Sequence, residues 1–239
     1  MADTRTTTAP EGRADNWGAR LFGLALLALS LAIIGISGNL LWHDLALYRL
    51  HAVAKAIRFG EPVSTKALAQ VLPQAIAWDQ AQALNASDLD DAALVMSLFA
   101  ERNRGSFLAP SLLLTAEKLL KERVAAAPAD GNSWLRLAYI RTARVGLDPF
   151  AHGALRMSYL TTPREFSVIW PSLKFRVDHW GLMSIEEQFA AADLAAGIWH
   201  KPPERAALKS YLAALPPGLR STLLADIIDS EARAALSKP

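Results

Sequence analysis

Along the chain, the feature that stands out first is a run from Leu21 to Trp42, LFGLALLALSLAIIGISGNLLW, with 22 consecutive uncharged positions. At about 1.5 Å rise per residue, a helix of that length covers a hydrocarbon core of about 30 Å. Arg20 closes its N-terminal edge, and Trp17 and Trp42 bracket it as indoles do at the two faces of a bilayer. The pattern predicts a transmembrane helix over 21–42. Gly35 and Ser37 are spaced like a signal-peptide cleavage site, but the apolar run continues through Leu40, Leu41 and Trp42. That is longer than a signal core and favours an uncleaved anchor.

Beyond Trp42 the period changes from a continuous apolar run to one-sided stripes. Alternating β-branched and aromatic runs are scarce, whereas Ala and Leu dominate, so the body reads as all-α. Residues 43–62 continue as a juxtamembrane helix to Gly60, a C-cap followed by Pro62. Ser64 then precedes a stripe of Leu68, Val71, Leu72 and Ala75, which Pro73 should kink or split. Ser87 and Asp90 resemble a capping box ahead of a helix from Leu89 to Phe99. Pro110 opens another, with Leu113, Ala116, Leu120 and Val124 on one face. Near the C-terminus come three further stripes. Ile185, Phe189, Ala192, Ala196 and Trp199 form the first, Leu208, Tyr211, Leu212 and Leu215 the second, and Leu224, Ile227, Ile228 and Ala232 the third. Broken by Pro202-Pro203 and Pro216-Pro217, they look like a terminal cap on a helical stack.

Two helical patterns, Ser133 to Arg144 and Pro149 to Leu160, meet at a short turn around Gly146. This hairpin resembles a tetratricopeptide repeat (TPR), a unit of about 34 residues. Trp134, Leu137 and Ala138 match its first helix, Ala151, Leu155 and Ser158 its second, and Pro128 and Pro163 the closing prolines of two units. Arg141 stands where an aromatic is usual, and Ser158 where alanine is. The preceding unit matches only at Ala116 and Leu120, and after Pro163 the match fades because Pro171 falls inside the next first helix. The resemblance implies a TPR-like superhelix of stacked hairpins over 63–239, following the 1–20 tail, the 21–42 span and the 43–62 helix. It also implies a concave face lined by Asn132, Arg136 and Tyr139, where stacked repeats hold their partners. A broader likeness, carried by PADGNSWLRLAYIR and MSYLTTPREFSVIW, is to single-pass alphaproteobacterial proteins found beside envelope polysaccharide machinery.

Composition narrows the function further. The chain has 239 residues, with 25 Lys+Arg against 23 Asp+Glu, and its mean hydropathy is +0.17. Near-neutral charge argues against a nucleic-acid partner. With no cysteine, disulfides, thiolate metal sites, a Cys nucleophile and a lipoprotein anchor are all excluded. None of the five histidines has the spacing that puts two ligands on one helix face, so no metal is expected. Asp178-His179 reads as a surface pair near a helix end, and Glu186-Glu187 as an acidic first turn capped by Ser184. No nucleophile elbow, phosphate loop or dinucleotide fingerprint is present, so neither a cofactor nor an enzyme is expected. Among the tryptophans outside the span, Trp180 is the best candidate for an exposed aromatic.

Flanking charge leaves the orientation tied: Arg5, Arg13 and Arg20 precede the span, and Arg49, Lys55 and Arg58 follow it. The short polar tail bearing Arg20 tips it toward a disordered cytoplasmic N-terminus and a periplasmic body, anchored in a bacterial inner membrane. The expected function is a membrane-anchored scaffold for other envelope proteins, with support for surface polysaccharide synthesis or export implied by the resemblance alone. Two alternatives stay open. One is an accessory subunit of a larger membrane complex, packed through Gly35 and Ser37-Gly38. The other is a glycan-acting enzyme, for which Glu165, Asp178 and Glu186 are the only crowded acids.

Overall fold

The computed structural model describes residues 17–80, 85–162 and 165–237, and among them every regular element is helical. The chain divides into two units, residues 1–48 and 49–239. Helix α1, Trp17–Arg58, runs through the apolar segment without a break. Trp17 and Trp42 are exposed, as are Leu21, Leu24, Leu27, Leu31, Ile34, Ile36 and Leu41 between them. It is the one helix among the described residues long and apolar enough to cross a membrane. The 1–16 tail and the side chain of Arg20 lie outside the described residues.

The second unit is a stack of helices: α2 (Thr65–Gln80), α3 (Ala86–Arg102), α4 (Ala109–Ala126), α5 (Gly131–Val145), α6 (Pro149–Thr161), α7 (Phe166–Asp178), α8 (Ile185–Trp199), α9 (Arg205–Ala213), α10 (Pro217–Asp226) and α11 (Ser230–Ser237). Sequence neighbours pair into antiparallel hairpins, α3 with α4, α5 with α6 and α7 with α8. Short connections between amphipathic helices enforce this. Each buries its stripe against the next: Leu68, Val71, Leu72 and Ala75 of α2 are all buried, as are Ala116, Leu120 and Val124 of α4. Of the matched hairpin positions, Leu137, Ala138, Ala151, Leu155 and Ser158 are likewise inside, and Trp134 is half-buried.

Helix ends follow local chemistry, with some departures from the pattern-based expectation. The cap of α3 is Asn85, whose side chain accepts from the backbone N–H groups of Ser87 and Asp88, while Asp88 reaches back to Asn85 N–H. The box thus sits two residues earlier than Ser87–Asp90, which frees Asp90 to point elsewhere. Ser184 and Glu187 form the other box, at the start of α8. Neither Pro73 nor Pro171 ends its helix. Each removes one backbone bond to the carbonyl four residues earlier, that of Ala69 or Ser167, and both of those residues are exposed, so water can satisfy the oxygen. The stripe read over 224–232 is two helices, α10 and α11, broken at Ile227–Asp229. Three of the striped apolar residues face outward, Ile185, Phe189 and Ile228, the last 87% exposed. The terminal core takes Ala192, Ala196, Leu208, Leu212, Ile227 and Ala232 from the stripes and adds Ile169, Leu173, Leu194, Ala195, Leu223 and Leu236.

Candidate functional site

Asn132, Arg136 and Tyr139 share one face of α5, and that face looks toward the neighbouring α3 and α7. Asn132 Nδ2 donates to Glu165 Oε1 and Ser167 Oγ, each at 3.1 Å, at the start of α7. Tyr139 OH donates to Pro171 O at 3.0 Å, and its ring meets Phe175 edge-on with centroids 4.6 Å apart. Burial pushes the Tyr139 hydroxyl well above its ordinary pKa, so it stays a donor. Arg136 Nη1 reaches Asp90 Oδ2 on α3 at 2.5 Å. All three therefore tie hairpins to one another. Trp180 is half-buried and packed on the terminal core rather than exposed.

Around Asp90 lies a denser polar network than sequence reasoning found. Arg58, at the end of α1, bonds both Asp90 (2.6 Å) and Asp91. Burial alone would lower the Arg58 pKa, but Asp91 and Asp90 outweigh it and raise it. His51 Nδ1 lies 2.7 Å from Asp91 Oδ2, and its Nε2 lies 3.4 Å from Asp88 Oδ1. Asp88, Asp90 and Asp91 are buried. The first turns of α3 are thus a carboxylate seat for one cation from α1, one from α5 and a histidine.

A second buried carboxylate, Glu117 of α4, receives Lys121 (2.7 Å), Arg141 (3.1 Å) and Arg144 (2.5 Å). Burial would raise its pKa, but the Arg144 and Lys121 bonds win and hold it below the ordinary range. Arg141, the residue in place of the usual aromatic, also binds Asp148, the cap of α6, at 2.6 Å, and lies over the Phe150 ring. Here an ion-pair web joins α4 to α5 and to the start of α6.

Hollows open in the body, two of them beside residues already named. One, of about 560 Å³, lies between α8 and the α10–α11 break, bordered by Phe189, Asp193, His200, Asp226, Ile228 and Asp229. The other, of about 760 Å³, lies between α6 and the α7–α8 junction. Two bonds bridge α6 to α8: His152 Nδ1 to Glu187 at 2.8 Å, and Tyr159 OH to Asp193 Oδ2 at 2.8 Å. Burial, then the Asp193 bond, pushes the Tyr159 pKa up to about 12. At the back of this cleft stands Arg176, fully buried.

The three acids of the glycan-enzyme alternative lie at helix ends. Glu165 accepts from Asn132 and Ser167, Asp178 is the last residue of α7, and Glu186 sits in the first turn of α8. Neighbouring His179 stacks on Phe175. Among the described residues, no group of three or more His, Asp or Glu side chains is placed to hold a metal ion.

No protein-family model, no curated protein and no solved structure matches this chain. The carboxylates and Arg176 escaped the sequence reading because acids in a first turn and a lone arginine have bland explanations. One signal was there to find: Arg176 follows Ile169 by seven residues and Leu173 by three, on the apolar stripe of α7.

Proposed function

We propose that the protein is a membrane-anchored helical scaffold: α1 holds it in a bilayer, and the stacked hairpins present a rigid surface to other proteins. The observation that carries this is the apolar stretch of α1, whose described large side chains are exposed and which is long enough to cross a bilayer. In water, so large a bare apolar surface would aggregate; in lipid it is satisfied. The ion-pair webs at Asp90 and Glu117 support the scaffold part, because they join consecutive hairpins with directional contacts as well as apolar ones. A TPR-like row accounts for the buried Leu137, Ala138, Ala151 and Leu155 and for the inter-hairpin role of α5. On the resemblance alone, the setting is a bacterial inner membrane with the body in the periplasm, and the partners are envelope proteins, among them those that make or export surface polysaccharide.

Crosslinking in intact membranes, followed by affinity purification, tests the reading. It requires the same few membrane or envelope proteins to be captured by the full chain and lost when residues 63–239 are removed. Capture that persists through residues 1–62 alone would replace it with the second reading, an accessory subunit assembled through its span. The exposed glycines of α1, Gly23, Gly35 and Gly38, leave room for a neighbouring helix and favour that second reading.

A further inference from the structure

Arg176 is an unusual occupant of a protein interior. It is 1% exposed, yet no carboxylate among the described residues pairs with it. Nη1 donates to Ser172 Oγ and, at 3.3 Å, to Ser172 O; Nη2 donates to Leu155 O at 3.1 Å. Nε has no partner. Burial draws its pKa down to about 10, opposed only in part by Glu187. That glutamate is already engaged by His152 and by the backbone N–H of Ser184. A buried cation without a counter-ion is costly, and a side chain kept in that state calls for an anion from outside. The cleft of about 760 Å³ that Arg176 borders is within the size range of small-molecule sites.

We infer that this cleft binds a small organic carboxylate, its charged end toward Arg176 and its aliphatic body along Leu160, Leu182 and Met183. The unused Nε–H suits one oxygen of a carboxylate. Glu186 and Glu187 border the same cleft and repel a dianion such as phosphate more strongly than a monoanion. Leu160 and Leu182 are 59% and 64% exposed at the mouth, apolar area that an alkyl chain would cover. The site stands or falls independently of the scaffold reading, since it needs neither a membrane nor a protein partner.

Calorimetric titration of the full chain in lipid nanodiscs tests it, with empty nanodiscs subtracted. The probes are hexanoate, hexan-1-ol and inorganic phosphate. Hexanoate should bind with a Kd below about 1 mM, and the alcohol and phosphate at least about tenfold more weakly. Two variants block the cleft while sparing the core. Gly153 of α6 borders the cleft and a Cβ added there meets no atom within 4 Å, so Gly153→Phe places bulk at the cleft without a backbone clash; Leu182→Glu adds a repelling charge at an exposed position. Each should weaken hexanoate about tenfold or more while its circular dichroism stays that of the parent. Hexanoate binding no tighter than the alcohol, tighter phosphate binding, or unchanged affinity in the folded variants would each overturn the inference.

Discussion

Asp90 illustrates how one side chain can hold two helices that the sequence places far apart. It accepts from Arg58 of α1 and Arg136 of α5. Asp90→Ala leaves two guanidiniums without that partner and should lower stability by about 1–3 kcal/mol in urea unfolding. The Arg136→Ala/Tyr139→Ala double variant should also lower the melting temperature, because it deletes contacts to both α3 and α7. An unchanged melting temperature would mean that those bonds contribute nothing. Glu117, and Asp130, which caps α5 and pairs with Arg123 at 2.8 Å, give the fold an acid sensitivity of definite sign. Both folded-state pKa values lie below the ordinary 4.5 and 3.8, so their stabilisation is complete above those values. It is lost as pH falls through the depressed ones. Urea midpoints measured from pH 7 to pH 3 should therefore fall in the acid range, and Glu117→Gln should lower the pH 7 value and flatten the slope.

At the level of helices, two glycines fix how the α5–α6 hairpin closes. A Cβ at Gly131 would lie 1.8 Å from Thr162 Oγ1 and 2.9 Å from Ser158 O, so the start of α5 touches the end of α6 only because that position is bare. Gly146, in the turn, has φ +89° and ψ 177°, a region closed to residues with a side chain. Gly131→Ala and Gly146→Ala should each cost about 1–3 kcal/mol, read from denaturant midpoints. The contrasting substitution is Gly197→Ala in α8: there a Cβ meets nothing, and helix propensity makes the change neutral or stabilising by up to about 1 kcal/mol. The cap of α8 carries more than its helix, since Glu187 serves Ser184 N–H and His152 together. Removing it loosens α6 from α8 as well as fraying a terminus.

For the whole molecule, the decisive contrast is between an apolar helix stretch with no cover and a body that buries its own stripes. The full chain should fractionate with membranes and require detergent. A chain beginning at His43 should remain in aqueous buffer, with the helical circular dichroism of the stack. Recovery of the full chain in the soluble fraction without detergent would remove the anchoring function assigned to α1.

Periodicity and length by themselves determined the all-α class, most of the helices and the membrane-length segment, but not α7, which runs through Pro171, nor the break between α10 and α11. A stripe such as Leu68, Val71, Leu72 and Ala75 can be satisfied only by a helix with one side covered, and 22 uncharged residues satisfy a bilayer whatever follows them. The α5–α6 hairpin was legible for the same reason, with Pro128, Gly146 and Pro149 marking its limits. What faces what was decided by the tertiary structure. Whether Arg136 meets solvent or Asp90, whether Phe189 and Ile228 lie in or out, and whether Arg176 finds a counter-ion depend on how neighbouring hairpins rotate about their axes. Residues 46 positions apart set that rotation, and no local period records it.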